Sequence, residues 1–192
     1  RLLSRGLGDV YKRQDDGDAN GDGTRDGSQD EFVELYNNSG SMQDISNWEV
    51  RDAVTTRHTF PAGTMVEADC AIVVFGGGVP VGGFGGSQVQ VASTGFLGFN
   101  NGGDTVSIYD DLGQLVTEYS YGGEGGNDTS LTRNPDITGP PPLVEHDTVP
   151  EALGALFSPG TNLDGTDFAG CSDPPTDTDG DGIPDDEDNC PD

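Results

Sequence analysis

Five carboxylates, Asp177, Asp179, Asp181, Asp185 and Asp188, crowd the segment DTDGDGIPDDEDNCPD (177–192). Counted from Asp177 they stand at positions one, three, five, nine and twelve, with Gly182 at six. That spacing suits a loop of oxygen ligands for calcium, a hard cation that takes roughly 6–8 oxygens at about 2.3–2.6 Å. Alternate residues direct oxygens inward, Gly182 permits the bend, and the carbonyl of Ile183 serves as the seventh-position ligand. Without an ion, carboxylates this close repel one another. The alternative to an ion loop is a solvated acidic tail. Magnesium suits the segment less well, because it tends to keep its waters.

A second candidate lies near the other terminus. Asp18, Asn20, Asp22, the carbonyl of Thr24 and Asp26 begin the same pattern, with Gly23 at the bend. The twelfth position is Gln29, not the bidentate glutamate of an EF-hand, and no helical pattern flanks it. Asp30 or Glu31 could substitute from the start of the next strand. The loop reads either as a second calcium site or as an acidic connection.

Enzyme signatures are missing. There is no G-x-S-x-G elbow and no His-Glu zinc pair. His58 and His146 are far apart in sequence and read as surface residues. The glycine loop at 76–86 lacks a lysine and is followed by no helix, so it reads as a flexible connection and not as a phosphate cradle. Carboxylate pairs of the glycosidase kind are conceivable, but these carboxylates lie in loops with no apolar pocket to raise a pKa. The expectation is a chain with no catalytic site.

The elements that would hold such loops are short. Only 31% of residues are hydrophobic, and 31 glycines and 12 prolines favour strands and turns over long helices. In EFVELYNN (31–38), Val33 and Leu35 share one face and Glu34 the other. In ISNWEVRD (45–52), Trp48 and Val50 point inward, Glu49 and Arg51 outward. HTFPAGTMVEADCAIVVF (58–75) reads as a short strand, a turn and an apolar core strand. VQVAS (89–93) is a further candidate strand, DTVSIYDDLGQLVTEYSYG (104–122) a hairpin, and SLTRNP (130–135) a last strand. Residues 136–168 pack irregularly. Strands at this spacing predict an all-β sandwich.

Charge narrows the partners. Eight basic against 35 acidic residues leave a net charge of −27, which repels phosphate backbones and excludes nucleic acid. Four of the basic residues fall in the first fourteen positions, RLLSRGLGDVYKRQ. That stretch resembles translated sequencing-adapter read-through, is expected to be disordered and is set aside from the fold. The chain stops at Asp192 in mid-pattern and reads as a piece of a longer one. No window reaches the roughly 18 apolar residues of a membrane span, so no insertion is expected in this part. Of three cysteines, Cys70 sits in an apolar run and reads as a small buried hydrophobe, while Cys171 and Cys190 could pair.

Residues 30–168 resemble the lamin tail domain in its bacterial branch. The resemblance rests on EFVELYNN, ISNWEV, the 58–75 segment, DTVSIYDDLGQLV, SLTRNPD and ALFSPGTNLDGTDF, in that order. It implies an immunoglobulin-like β-sandwich acting as a non-catalytic interaction module, found in bacteria on surface proteins or secreted hydrolases. The basic patches that support DNA contact in nuclear relatives are absent. The tail resembles the start of a thrombospondin type 3 repeat, which implies extracellular calcium binding and a disulfide at Cys190. The organisation expected is 1–14 foreign, 15–29 an acidic calcium-type loop, 30–168 the sandwich and 169–192 an acidic tail. The function expected is an extracellular or cell-surface binding or adhesion module, stabilised by Ca2+, with a protein or glycan partner. The alternative is an accessory domain of a secreted hydrolase.

Overall fold

A computed structural model describes residues 7–11, as backbone, and 17–171. Twelve strands run in chain order: β1 (Leu7–Tyr11), β2 (Phe32–Tyr36), β3 (Gln43–Asp44), β4 (Glu49–Arg51), β5 (Thr56–Thr59), β6 (Met65–Val66), β7 (Ala71–Phe75), β8 (Gln88–Val91), β9 (Asp104–Tyr109), β10 (Leu115–Tyr121), β11 (Leu131–Thr132) and β12 (Val144–Glu145). Among the described residues the only helical elements are short 3-10 turns. The fold is all-β, as the strand spacing predicted.

Two sheets face each other. One has the order β12-β11-β1-β2-β7-β8, the other β10-β9-β4-β5, and β3 pairs with β6 beside them. Alternation along the strands decides what lies between. Val33 and Leu35 of β2 with Ile72 and Val74 of β7 meet Val50, Val106 and Ile108 from the opposite sheet, and Trp48 closes over them. Phe60, Leu97 and Phe99 fill the ends of the same core, all essentially without solvent contact. The β9–β10 hairpin turns on Asp110, whose Oδ1 accepts the N–H groups of Leu112 at 3.0 Å and Gln114 at 2.7 Å.

Two elements differ from the sequence reading. Leu7–Tyr11, set aside as foreign, forms β1 between β2 and β11, with Val10 opposite both Val33 and Leu131. A ladder is made by backbone N–H and C=O groups, so an unusual charge pattern is no bar to it. The short strand β12 carries no alternation long enough to read. It exists because it pairs with β11.

The outward face of the larger sheet is also covered. Phe32, Val73 and Phe75 point away from the central core and pack with Ala19, Phe84, Val89 and Phe157. Further along, Tyr36, Cys70 and Ala71 meet Phe168 and Cys171. The covering arm, residues 157–171, is irregular but fastened. Gly160 N–H donates to the Glu34 carboxylate at 2.7 Å, and the Ser87 hydroxyl donates to the Gly160 carbonyl at 2.8 Å. Glu34, the polar residue of an alternating strand, is therefore buried under the arm and not solvated.

A disulfide completes this clasp. Cys70 is bonded to Cys171 across 101 residues. Cys70 is buried, as its apolar run suggested, but as half of this bridge. The bond also corrects the pairing of Cys171 with Cys190, which lies outside the described residues.

Both histidines are buried, correcting their assignment to the surface. His146 Nδ1 donates to the Ala155 carbonyl, and its Nε2 lies 2.9 Å from the Ser158 hydroxyl. At His58 the Ser93 N–H donates to Nδ1 at 3.2 Å, so the ring proton sits on Nε2, 3.0 Å from the Gln90 amide oxygen. Burial holds the His58 pKa below its ordinary 6.5, against the opposing bond to Gln90. The unfolded chain therefore binds a proton that the folded one refuses, and stability falls as pH drops through the unfolded value near 6.5. Melting curves at pH 7.5 and pH 5.5 will show that decline, and His58→Phe, which keeps the edge contact to Phe60, will make it shallower.

Candidate calcium loop and surface groove

Residues 18–31 fold as a series of tight turns in which carboxylates accept from the backbone. Gly23 N–H donates to Asp18 Oδ2 at 2.9 Å, Asp22 N–H to Asn20 Oδ1 at 3.0 Å, and Thr24 N–H to Asp22 Oδ1 at 2.7 Å. Asp26 Oδ1 accepts the N–H groups of Ser28 at 2.9 Å and Gln29 at 3.2 Å. Asp30 is fully buried at the centre, where it accepts the N–H groups of Asn20 at 3.2 Å and Asp26 at 2.8 Å. Short aspartate and asparagine side chains favour such turns for the same reason they favour ion loops: their oxygens reach only two or three residues along the chain.

The loop is part of the body. Val81 N–H donates to the Asn20 carbonyl at 2.7 Å, Gly77 N–H to the Gln29 carbonyl at 3.1 Å, and Val79 N–H to Asp22 Oδ2 at 3.2 Å. The glycine segment 76–86, expected as a flexible connection, is thus part of the fastened crossover that lets β8 lie parallel to β7. Gly78, at φ +74°, must be a glycine twice over, because a Cβ there would collide with the Asn20 and Asp22 side chains.

Electrostatics single out the pair Asp18 and Asp30. Burial pushes the Asp30 carboxyl above its ordinary value; its bonds to the backbone of Asp26, Asn20 and Ala19 oppose this, and the charge of Asp18 adds to it. Asp18 Oδ1 is buried and has no hydrogen-bond partner. Asp22 goes the other way, held low first by the Val79 N–H and then by that of Thr24. Of the residues proposed from sequence, Asn20 and Asp26 donate their N–H groups to Asp30 and the charge of Asp18 reaches it, while the Asp18, Asp22 and Asp26 carboxylates each accept a backbone amide. No three His, Cys, Asp or Glu side chains converge on one point among the described residues. Asp177, Asp179, Asp181, Ile183, Asp185 and Asp188 lie outside them.

A groove of about 600 Å³ opens on the outer face of the smaller sheet. Arg51 and Tyr109 meet on its floor, the guanidinium carbon 4.1 Å from the ring centre. Arg51 Nε also donates to Glu49 Oε2 at 2.6 Å. At the rim, Asp52 accepts from Arg57 Nε at 2.8 Å and from the N–H groups of Val54 and Thr55. Burial raises the Asp52 pKa, but the Thr55 amide, Arg57 and the Val54 amide outweigh that and hold it low. Sequence reasoning placed Glu49 and Arg51 outward correctly. It missed the groove, because Tyr109 comes from a distant strand.

A second recess, of about 440 Å³, holds Asp136, Glu151 and Asp164. Burial raises the Asp136 pKa, whereas Thr166 lowers that of Asp164. Values pushed apart in one recess can mark an acid–base pair. Here both Asp136 oxygens accept backbone N–H groups, from Ile137 at 2.8 Å and Leu163 at 2.9 Å. Asp164 in turn accepts from the Thr166 amide and hydroxyl. The pair holds a loop together.

Among the described residues no helix is long and apolar enough to cross a membrane. Compared with known families, residues 12–123 match the family described as Lamin Tail Domain. No curated protein matches the chain.

Proposed function

The chain belongs to the lamin tail domain family, a non-catalytic, immunoglobulin-like family, and from that premise we propose that it is an extracellular or cell-surface binding module, without a reaction of its own, stiffened by calcium. The disulfide supports the compartment, since such bonds persist where the surroundings are oxidising. The fate of the titratable groups supports the absence of catalysis: His58, His146, Asp30, Asp52 and Asp136 are all engaged in holding loops and strand edges. In this reading the tail residues 177–192 take calcium in the manner of a thrombospondin type 3 repeat, and the N-terminal loop takes a second ion.

The observation that carries the calcium reading is Asp18 Oδ1. It is a buried carboxylate oxygen with no partner, beside a fully buried Asp30 whose ionisation it opposes. A cation between the two would supply the missing partner and relieve the repulsion, with Asn20 adding a neutral oxygen and Asp22 and Asp26 exchanging amide bonds for the ion. Binding only to the folded state stabilises it, by about 2.7 kcal/mol at a hundredfold excess over Kd.

EDTA is therefore expected to lower the melting temperature, and calcium to restore it. Isothermal titration will register heat for the intact chain, reduced by Asp18→Asn at the loop and by Asp179→Ala with Asp181→Ala at the tail. Identical melts in EDTA and calcium, with no titration heat, would remove calcium from the reading and leave a plain β-sandwich spacer.

A further inference from the structure

Strand edges decide where a sheet can grow, and in this sandwich all but one are short or covered. β3, β6 and β12 are two residues each. β5 and β8, which end the two sheets on one side, are closed against each other. There the Thr59 N–H donates to the Ser93 hydroxyl at 3.1 Å, the Thr94 N–H to the Arg57 carbonyl at 3.3 Å, and His58 holds Gln90.

The exception is β10. It has seven residues, ends the smaller sheet and pairs with β9 alone. Its other edge makes no backbone hydrogen bond among the described residues. A bulge between Leu115 and Thr117 interrupts its start, after which residues 117–121 run in regular register. Such an edge is commonly blunted by lysine or proline, and the sequence LVTEYSY (115–121) has neither. A row of N–H and C=O groups without protein partners is a template for one more strand.

Side chains and charge narrow the kind of strand. Tyr119 and Tyr121 point into the core, so Glu118 and Ser120 stand on the outer face, both exposed. The Ser120 hydroxyl is bonded to that of Thr105 at 2.7 Å, whereas no ion pair among the described residues involves Glu118. Asp110 and Asp111 come just before β10 and Glu124 just after it, and no lysine or arginine occurs between Arg57 and Arg133. The edge thus bears only negative charge, in a chain whose net charge is −27. A second copy fits it badly. Pairing β10 with itself would set two Glu118 side chains on one face of the joined sheet and bring two strongly negative bodies together.

We propose that the free edge of β10 is the docking site for an extended, cationic segment of a partner protein, added as a further strand with lysine or arginine beside Glu118. This docking presupposes the reading of the chain as a binding module and gives that module a surface and a class of partner. Backbone bonds supply the attachment, and the basic side chains supply the preference.

The test uses the whole chain and three octapeptides: alternating lysine and valine, alternating glutamate and valine, and alternating lysine and proline. The last keeps the positive charge but lacks the N–H donor at every second residue. Binding is followed by amide chemical shifts and hydrogen exchange. The lysine–valine probe is expected to move the Thr117, Glu118 and Ser120 signals and to slow exchange along β10, more strongly at low salt. The other two probes should leave β10 unprotected. Glu118→Lys, at an exposed position outside the core, should weaken the lysine–valine probe about threefold or more, with a thermal melt to check its fold.

Equal binding of the lysine–proline and lysine–valine probes would mean that charge alone attracts them, and would overturn strand addition. Shifts confined to other surfaces, or silence of β10 toward the lysine–valine probe, would overturn it as well. So would protection of the edge in the chain without probe: rising with concentration it would assign β10 to a second copy, and constant with concentration to a segment of the same chain. Failure here leaves the calcium melts untouched, and identical melts in EDTA and calcium leave this titration untouched, so the two readings fail separately.

Discussion

Opening the Cys70–Cys171 bridge is expected to cost the folded chain about 4–5 kcal/mol, because a loop of about 100 residues regains its freedom in the unfolded state. For a domain of this size that corresponds to a melting temperature lower by roughly 10–20 °C. The folded side of the equilibrium argues the same way. Around the bridge, Gly170 N–H donates to the Asp69 carbonyl at 2.9 Å, and the Tyr36 and Phe168 rings meet edge to face at 4.9 Å. Gly170 also passes so close to the Ala68 carbonyl that a Cβ would collide with it. These contacts hold the arm while the bridge is closed, but each is too weak alone to confine a chain end. Urea curves with and without reductant measure the effect, and the double variant Cys70→Ser, Cys171→Ser repeats it without exposure to thiol reagents. Coincident midpoints in both comparisons would mean that the arm is held by its packing and the bridge is incidental.

The strands that were legible in the sequence are those whose side chains alternate against one core. Val33 and Leu35, Trp48 and Val50, and Val106 and Ile108 all face where a period of two puts them. What was not legible depends on partners far away in the chain. The arm over the larger sheet turned Glu34 from a solvated residue into a buried one, and nothing near Glu34 announces Gly160. His58 is buried because the Ser93 amide and Gln90 satisfy its two nitrogens, and neither pairing leaves a local trace. The bridge was missed because Cys70 in an apolar run has the surroundings of a core residue, while Cys171 and Cys190 are near each other in sequence. The acidic loop was recognisable as a string of turn-forming oxygens. That it is zipped to residues 76–81, with Asp30 at its centre, follows only from the crossover between β7 and β8.

That attachment can be tested from the side of the core. Phe75→Ala is expected to destabilise the chain by about 3–5 kcal/mol, the usual result of removing a large buried ring from a packed site. Phe75 has no solvent exposure and stands between Phe32, with ring centres 5.6 Å apart, and Phe84, at 5.4 Å. Phe84 belongs to the crossover segment, and Ala19 of the acidic loop joins the same cluster. The ring therefore binds three things at once: the larger sheet, the crossover and the loop that carries Asp18. Its loss should be felt at the loop before the sandwich melts as a whole. Amide hydrogen exchange at Asn20, Asp22 and Val81 is expected to speed up more than exchange at Val33 or Ile108, whose amides lie in the sheets around the central core. Val73→Ala, which trims the same cluster by less without parting the three aromatic rings, should produce a smaller and more even acceleration. Equal acceleration of loop and core in Phe75→Ala would mean that the loop unfolds only with the domain. Protection at Asn20 unchanged despite a lower melting temperature would mean that it is held by its own turns and not by the aromatic cluster.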